Sequence, residues 1–488
     1  MKNKKYDVVI GLEIHAEINT NSKVFCGCKN SFGSETNTNC CPICVGMPGS
    51  LPVLNKKAVE YTIKAGLCFG SEITNLAVFE RKNYFYPDLS KAYQISQLVK
   101  PICKNGGIEL ASGKFIRLNR IHLEEDAGKL IHKTKTIGSL VDYNRGGVPL
   151  MEIVTEPDLN NAEETVEFLV NLRQTLVYAG VANCKMEEGG MRCDVNLSVK
   201  EKGSSDLGTR TEMKNLNSFK MVRRAIEYES KRQIEELEAG CAIIQQTRKW
   251  DDNKGKSFSM RTKGDSNDYR YFPDPDLLTV EIDKHSIEEI KKTIPRLAKD
   301  RIKTYVEEFG LPEYDAVILT NEKYISDYFE ECVKILNEPK DISNWIMTHL
   351  LRILKTQQNY NSESLETDLN KIISPKNLTA IIKLLENKKI TRVKANELFE
   401  IICFSPNLKA EEVAKEKGML NQFSDEQLQD AANEVLKQYN TALSDYEKTP
   451  EKVVKFYIGK IMALSKGSAN PQKAEILLDK KIKEILKK

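Results

Sequence analysis

The stretch Val8-Val9-Ile10-Gly11-Leu12-Glu13-Ile14-His15-Ala16-Glu17 sets the pattern for the amino-terminal half of this 488-residue chain. After Gly11 its apolar residues recur at every second position, which is typical of a β-strand with one buried face. On such a strand Glu13, His15 and Glu17 project from the same face. Three side chains that can bind metal on one face indicate a Mg²⁺ or Mn²⁺ site, and a solvent-exposed strand face is the alternative.

Further strand-like and helical segments follow as far as about Asp283. The strand-like segments lie at 8–14, 115–118, 150–154 and 194–199, and the helical ones at 58–67, 162–178 and 219–238. Because the strands do not follow a strict strand–helix–strand rhythm, they predict an α+β fold with a mostly antiparallel sheet. Beyond Ser286 the alternating runs stop, and short helical segments punctuated by prolines predict an all-helical region.

The length suggests about two to four domains. We predict an amino-terminal α+β domain at 1–293, a helical domain at 294–405 and a helical tail at 406–488. The tail is basic, since residues 451–488 contain 10 basic and 4 acidic side chains, a net charge of +6.

The composition excludes two broad classes of protein. A hydrophobic content of 40% supplies enough apolar surface for a packed core, so a mainly disordered chain is excluded. No run of about 18 apolar residues occurs, so we expect no membrane span. The apolar stretch from Val8 to Leu12 is too short for the core of a signal peptide, and we therefore expect a cytoplasmic protein.

Four of the 12 cysteines have the spacing of a metal site. Cys26-Gly27-Cys28 and Cys41-Pro42-Ile43-Cys44 place paired thiols on two tight turns, and in a reducing compartment such pairs indicate metal rather than disulfides. Four sulfur ligands suit a structural zinc ion and leave no open position for catalysis. We therefore predict a zinc knuckle at 26–44. Cys40 is a possible competing ligand, and four unligated thiols are the alternative.

Acidic residues also interrupt stretches that are otherwise strand-like. Three acids fall within Arg120–Lys129, and Glu152 stands inside an apolar run. An acid on a buried strand is costly unless it is paired or binds metal. Glu187, Asp194 and Asn196 belong to a third such stretch. Carboxylates from separate strands could together hold Mg²⁺ and, through it, nucleotide phosphates, whereas solvated turns with surface acids are the alternative.

Common catalytic motifs are absent from the sequence. Lys254-Gly255-Lys256-Ser257 lacks the first glycine of a Walker A motif, because position 250 is Trp250. Neither an HExxH nor a GxSxG motif occurs. If ATP is used, its phosphates must therefore be held by carboxylate-bound metal and individual basic side chains.

Blocks spread from residue 6 to about 478 resemble the B subunits of bacterial aspartyl/glutamyl-tRNA(Asn/Gln) amidotransferases. These blocks are Val9-Ile10-Gly11-Leu12-Glu13-Ile14-His15, Arg81-Lys82-Asn83-Tyr84-Phe85-Tyr86-Pro87-Asp88, Lys91-Ala92-Tyr93-Gln94-Ile95-Ser96-Gln97, His122 to Lys129, Lys185 to Asn196, Lys214-Asn215-Leu216-Asn217-Ser218, Asp268-Tyr269-Arg270-Tyr271-Phe272-Pro273 and Lys466-Gly467-Ser468-Ala469-Asn470-Pro471.

The resemblance implies a carbon–nitrogen ligase that takes its nitrogen from glutamine. In that family the enzyme is a heterotrimer, in which the A subunit is a glutaminase of the amidase type and a small C subunit helps to hold the other two together. The B subunit uses ATP and Mg²⁺ to phosphorylate the side-chain carboxylate of Glu or Asp misacylated onto tRNA, and ammonia then displaces the phosphate. The resemblance also implies an amino-terminal cradle related to glutamine synthetase, and helical domains that hold the tRNA.

The resemblance implies roles for individual residues as well. The family's metal-binding and kinase residues map onto Glu13, His15, Glu124, Glu125 and Glu152. We predict that Glu13, His15, Glu125 and Glu152 bind Mg²⁺, and that Lys82, Glu187, Asp194 and Asn196 help to bind the cofactor. Lys82 and the loop from Tyr84 to Asp88 line either the nucleotide site or the ammonia path. Cys26, Cys28, Cys41 and Cys44 are similar to the zinc ligands of one branch of the family.

Two other classes of protein remain open at this point. One is a non-enzymatic RNA-binding protein with a zinc knuckle and a basic tail, which the concentrated acids oppose. The other is a free-standing ligase that acts on a small carboxylate. A requirement for Mg²⁺, ATP and misacylated tRNA separates both from the amidotransferase. Whether Glu-tRNA(Gln), Asp-tRNA(Asn) or both are substrates stays open.

Overall fold

The computed structural model describes residues 5–132, 138–186, 188–262, 269–357, 369–405, 407–420, 425–446, 449–465 and 469–486. The chain divides into two compact units, Met1–Ala298 and Lys299–Lys488. Within the described residues, no helix is both long enough and apolar enough to cross a membrane.

The first unit is built around one large sheet. The strands are, in chain order, β1 Tyr6–Glu17, β2 Glu72–Ile73, β3 Leu76–Ala77, β4 Glu80–Asn83, β5 Tyr93–Ser96, β6 Cys103–Lys104, β7 Gly107–Glu109, β8 Phe115–Glu125, β9 Lys129–His132, β10 Ser139–Asp142, β11 Pro149–Thr155, β12 Met191–Glu201, β13 Thr211–Lys214, β14 Gln246–Asp251, β15 Lys256–Thr262, β16 Phe272–Pro273 and β17 Val280–Glu281. Ten of these strands form a sheet in the order β15-β14-β13-β12-β1-β11-β8-β6-β2, with β7 paired to β8.

Neighbouring strands of this sheet are antiparallel at every step except β13–β14, which is parallel. The smaller sheets are β9–β10, β16–β4–β5 and β17–β3. The four strand-like runs of the sequence correspond to the adjacent strands β12, β1, β11 and β8. The expected α+β fold with a mostly antiparallel sheet is therefore confirmed.

One face of the sheet packs against helices. The helices of this unit are α1 Lys56–Cys68, α2 Ala162–Tyr178, α3 Phe219–Glu238 and α4 Lys284–Lys292. Side chains of Asn55, Asn161 and Ser218 accept hydrogen bonds from the first-turn amides of α1, α2 and α3 and so fix where these helices begin. Ile14 of β1 and Leu172 of α2 are fully buried in the same core. Since strand side chains alternate, Glu13 and His15 face away from these helices.

The second unit is helical in all of its described residues. Its α-helices are α5 Ala298–Glu307, α6 Glu313–Thr320, α7 Lys323–Ile335, α8 Pro339–Trp345, α9 Leu351–Gln357, α10 Pro375–Glu386, α11 Arg392–Ile402, α12 Ala410–Glu416, α13 Asp425–Gln438, α14 Pro450–Leu464 and α15 Pro471–Leu486. A π-helical turn, Ile346–Leu350, joins α8 to α9, and short 3₁₀ turns occur at Leu369–Lys371 and Asn440–Asp445. The predicted all-helical region is confirmed.

The helices bury two separate apolar cores. One extends from Tyr305 to Met419 and the other from Leu428 to Ile482. Buried residues of α12, such as Val413, belong to the earlier core. The apolar packing of that core thus continues past residue 405, and the division into three domains with a boundary there stays a prediction.

Candidate functional site

The polar side chains of the central strands share the sheet face opposite α2 and α3. This polar face comprises Glu13, His15, Glu17, Arg120, His122, Glu124, Glu152, Arg192, Asp194 and Asn196. The strand register sets their order, because one row across β12, β1, β11 and β8 contains Arg192, His15, Glu152 and His122. In the next register row Glu13 lies beside Asp194. Segments distant in sequence are therefore brought together by strand pairing alone.

Two imidazoles and three carboxylates converge at the centre of the polar face. His15 Nε2 lies 3.3 Å from Glu124 Oε1, 3.5 Å from Glu152 Oε2 and 3.9 Å from Glu13 Oε1. His122 Nε2 lies 3.3 Å from Glu152 Oε2 and 3.8 Å from Glu124 Oε2. His122, Glu124 and Glu152 are buried. Buried acids at this spacing require positive charge between them.

The electrostatics of the cluster follow from this crowding. Burial opposes charge on His15, but its hydrogen bonds with Glu124 and Glu152 raise the pKa of the imidazole well above its usual range. Burial likewise opposes charge on His122, and the nearby charge of Glu152 raises its pKa to about 9. Glu124 is buried, yet hydrogen bonds from His122 and His15 lower its pKa to about 2. Burial and the charge of Glu152 raise the pKa of Glu13. The protonated imidazoles occupy the position that a cation would take.

The donor atoms fit a divalent metal ion. One atom each from Glu13, His15 and Glu152 lie within 4.8 Å of one another, and so do atoms of His122, Glu124 and Glu152. Ligands that share one ion at its usual bond lengths are at most roughly 5 Å apart. Carboxylate oxygens are the donors that Mg²⁺ and Mn²⁺ prefer. The polar face could therefore bind one or two such ions in place of the imidazole protons.

Basic groups border the acid cluster. Burial opposes charge on Lys82, but the nearby carboxylate of Glu124 raises the pKa of its ammonium. This ammonium lies 5.0 Å from the ring centre of Tyr269. On the other side, Lys214 Nζ donates to Asp194 Oδ2 at 2.5 Å. The structure thus brings Lys82 and Asp194 to the cluster as predicted from sequence. Asn196 lies one step along the same strand face, opposite Gly11.

Glu125 does not join the cluster. It follows Glu124 on β8, so the alternation of side chains turns it away from His15. Lys91 Nζ donates to its two carboxylate oxygens at 2.5 and 2.6 Å, and the amide of Ile95 donates to Oε1 at 2.9 Å. The carboxylate therefore has other partners, and the metal-binding role predicted for Glu125 is not supported by this placement. Glu187, another predicted residue, lies outside the described part of the chain.

Three polar-face or bordering residues were missed by the sequence reasoning. His122 stands two positions before Glu124, which is the same spacing that relates Glu13 to His15. Applying the period of two to both strands would have selected His122 and Glu124 together and set Glu125 apart. Glu212 and Lys214 lie on β13, beside β12, and Lys214 Nζ lies 3.1 Å from Glu212 Oε1. Nothing in their local sequence indicated which strand they would neighbour.

The four predicted zinc ligands meet in the loop after β1. Cys44 Sγ lies 3.4 Å from Cys26 Sγ, 3.7 Å from Cys28 Sγ and 3.8 Å from Cys41 Sγ. A zinc ion with four sulfurs at ~2.3 Å separates them by roughly 3.8 Å, so the set fits that ion. A hydrogen bond from Cys26 lowers the pKa of Cys44 to about 4. Cys40 Sγ instead faces the side-chain oxygens of Asn37 and Asn144, at 3.8 and 3.6 Å.

Comparison with known proteins places these features in one family. The family model described as the GatB/GatE catalytic domain matches residues 8–288, and a second, described as the GatB domain, matches 327–482. The B subunit of an aspartyl/glutamyl-tRNA(Asn/Gln) amidotransferase from Caldicellulosiruptor bescii is 50% identical over 486 residues, which are 99% of this chain and 100% of that protein. Proteins of the same name from Lachnoclostridium phytofermentans and Thermodesulfovibrio yellowstonii are 48% and 46% identical, over 99% and 98% of this chain and 100% of each relative. The chain therefore belongs to the family of aspartyl/glutamyl-tRNA(Asn/Gln) amidotransferase B subunits.

Proposed function

We propose that this chain activates and amidates the side-chain carboxylate of Glu or Asp misacylated onto tRNA, giving Gln-tRNA(Gln), Asn-tRNA(Asn) or both. The observation that carries the proposal is the convergence of His15, His122 and three glutamates on one sheet face. That arrangement suits phosphoryl transfer, in which the protein mainly supplies positive charge and position.

The chemistry explains why such a site is needed. A carboxylate is a poor electrophile, so ammonia does not displace its oxygen directly. Transfer of the γ-phosphoryl group of ATP to the side-chain carboxylate gives an acyl phosphate and ADP. Ammonia then attacks the acyl carbon, the bond to the phosphate oxygen breaks, and the products are the amide and phosphate. Neither step needs a nucleophilic side chain on the protein.

The polar-face residues have distinct roles in this proposal. Glu13, His15 and Glu152 would hold Mg²⁺, with His122 and Glu124 beside them, and the ion would neutralise phosphate oxygens during transfer. Lys82 and Lys214 keep their charge at the borders of the cluster and are placed to attract the anionic groups of the substrates. His122 is only 2% exposed, so it orients Glu152 rather than meeting substrate from solvent.

The proposal also includes partners and a second metal. We infer that ammonia comes from a glutaminase of the amidase type, the A subunit, that a small C subunit completes a heterotrimer, and that the second unit of this chain contributes to tRNA binding. This division of labour is supported by the lack of a glutaminase motif in the sequence. We further infer that Cys26, Cys28, Cys41 and Cys44 bind a structural zinc ion, because four sulfurs leave no open coordination position.

The test is reconstitution of the complex with misacylated tRNA. Amide formation should require ATP and Mg²⁺ or Mn²⁺ together, and ATP hydrolysis by this chain should rise when Glu-tRNA(Gln) or Asp-tRNA(Asn) is added. Supplying ammonia directly should replace both glutamine and the glutaminase. Amidation of a free small carboxylate without tRNA, or tRNA binding without any ATP turnover, would contradict the proposal.

A further inference from the structure

A lysine lies buried beside the proposed zinc ligands. The residue Lys23 is fully buried, with 0% exposure. Its Nζ lies 3.4 Å from Cys44 Sγ and donates to the backbone oxygen of Tyr143 at 3.1 Å. A surface-type residue has thus been placed entirely inside the protein, with a sulfur atom as its neighbour.

The surroundings give this ammonium no carboxylate partner. Within the described residues, no ion pair joins Lys23 to Asp or Glu, whereas the buried imidazole of His122 lies among carboxylates. A buried ammonium without an anion is strongly destabilising. The carbonyl of Tyr143 is neutral, so only the cysteine sulfurs can supply the compensating negative charge.

A zinc ion bound by four thiolates has that charge. Each deprotonated sulfur contributes −1 and the ion +2, so the filled site carries a net charge of −2 in a largely enclosed loop. An ammonium in hydrogen-bond contact with one sulfur reduces this excess to −1. The zinc site and Lys23 therefore stabilise each other, and each is costly without the other.

The same residue ties the loop to the central sheet. The amide of Lys23 donates to the oxygen of Cys28 at 3.0 Å, and the amide of Val24 donates to the oxygen of Gly147 at 2.9 Å. Together with the bond from Nζ to Tyr143, these contacts fix the cysteine loop against residues 143–148. That segment leads directly into β11, the strand that carries Glu152.

We propose that Lys23 is a positioning residue of the zinc site, which neutralises one thiolate charge through Cys44 and anchors the cysteine loop to residues 143–148. This inference rests on the proposed zinc site but goes beyond it, because the ligand set alone assigns no role to a lysine. It predicts that the charge of Lys23, rather than its bulk, controls how firmly the metal is held.

The experiment compares Lys23→Met with Lys29→Met in the assembled complex. Methionine preserves most of the length of the side chain and removes its charge, and Lys29 is an exposed residue of the same loop. Release of zinc to a chelator should be about 10- to 100-fold faster in Lys23→Met, as expected for loss of an outer-shell partner, and unchanged in Lys29→Met. Hydrogen exchange of residues 143–148 should rise only in Lys23→Met.

Cobalt substitution supplies a readout that general destabilisation would not move. Loss of the hydrogen bond to Cys44 makes that sulfur a better electron donor, so the sulfur-to-cobalt charge-transfer band should shift to longer wavelength in Lys23→Met. If that variant does not fold, Lys23→Gln, which keeps a donor and loses the charge, decides the matter by the same two measurements. Equal release rates and an unmoved band overturn the role of Lys23. A wild-type protein that binds no zinc overturns the metal site itself.

Discussion

The polar face and the basic tail both concentrate charge, but they place it differently. On the polar face, charged groups such as Glu124 and Glu152 are buried and lie 3.3–3.8 Å from the imidazoles. In α14 and α15 the lysines lie mainly on exposed surfaces, while the buried residues are apolar, as with Tyr457 and Leu478. Single charges should therefore matter on the polar face, whereas charges in the tail should act only together.

The strongest test of this difference is Glu152→Gln. Glu152 contacts both imidazoles and contributes to both metal-competent sets, so its loss should lower tRNA-dependent ATP hydrolysis about 10³-fold, or by ~4 kcal/mol of transition-state stabilisation. Glu163→Gln is the matched control, because Glu163 is an exposed carboxylate on α2 that forms an ion pair with Arg223, away from the polar face. The steady-state rate of ADP formation measures both. A Glu152→Gln enzyme with near-normal turnover would remove the basis of the site.

A second test uses two neighbouring carboxylates on one strand. Glu124→Gln should raise the Mg²⁺ concentration needed for half-maximal activity by about 100-fold, because Glu124 faces the metal-competent cluster. Glu125→Gln should leave that concentration unchanged and instead lower thermal stability, since it leaves the largely buried ammonium of Lys91 without its anion. Magnesium titrations and thermal melts of the two variants distinguish these outcomes. If both variants shifted the magnesium requirement alike, side-chain alternation would not define the site.

The same alternation explains how much could be learned from sequence. The period of two in Val8–Glu17 correctly predicted the strand and the shared face of Glu13 and His15, because both depend on local backbone geometry. The partners of a strand depend on pairing between segments more than 100 residues apart, such as His15 with Glu152. No local pattern specifies that pairing, so His122 and Lys214 were missed, and Glu125 was placed with Glu124.

The cysteine loop behaves differently again, because its spacing alone specified the cluster. Two short turns bring each pair of thiols together, and a single chain reversal then joins the pairs. What the spacing left open was the role of Cys40, and the contacts of its sulfur with Asn37 and Asn144 now argue against ligation. Sequence is thus most informative where a site is built from local turns.

The third prediction compares two adjacent cysteines. Cys41→Ser should lower the zinc content from about one ion per chain to a small fraction and reduce the melting temperature by several degrees, because a structural zinc contributes directly to folding. Cys40→Ser should keep both values close to those of the wild type. Elemental analysis and calorimetry provide the measurements. Full zinc occupancy in Cys41→Ser, or its loss in Cys40→Ser, would reassign the fourth ligand.

The smallest single-residue effects are expected in the tail. Lysine contacts with phosphate supply affinity by releasing counterions, and each contributes modestly and without sequence preference. Replacing one exposed residue, for example Lys455→Gln, should therefore change the KM for misacylated tRNA by less than about twofold. Truncation after Leu420 removes the whole basic segment and should raise that KM strongly. This cut spares Val413 and Met419, which belong to the preceding core, whereas a cut at residue 407 would expose it.

Salt dependence decides whether the tail acts through its charge. Each phosphate contact contributes a slope of roughly −0.7 to −0.9 to the dependence of log affinity on log salt concentration. The truncated complex should therefore bind tRNA with a shallower slope than the full-length complex, while Lys455→Gln should differ from wild type by at most about one such step. Titrations of tRNA at several salt concentrations measure the slope directly, and the glutaminase activity of the partner serves as the control for an intact complex. An unchanged slope after truncation would show that the lysines of α14 and α15 only solvate their helices, and tRNA binding would then have to be sought elsewhere on the protein.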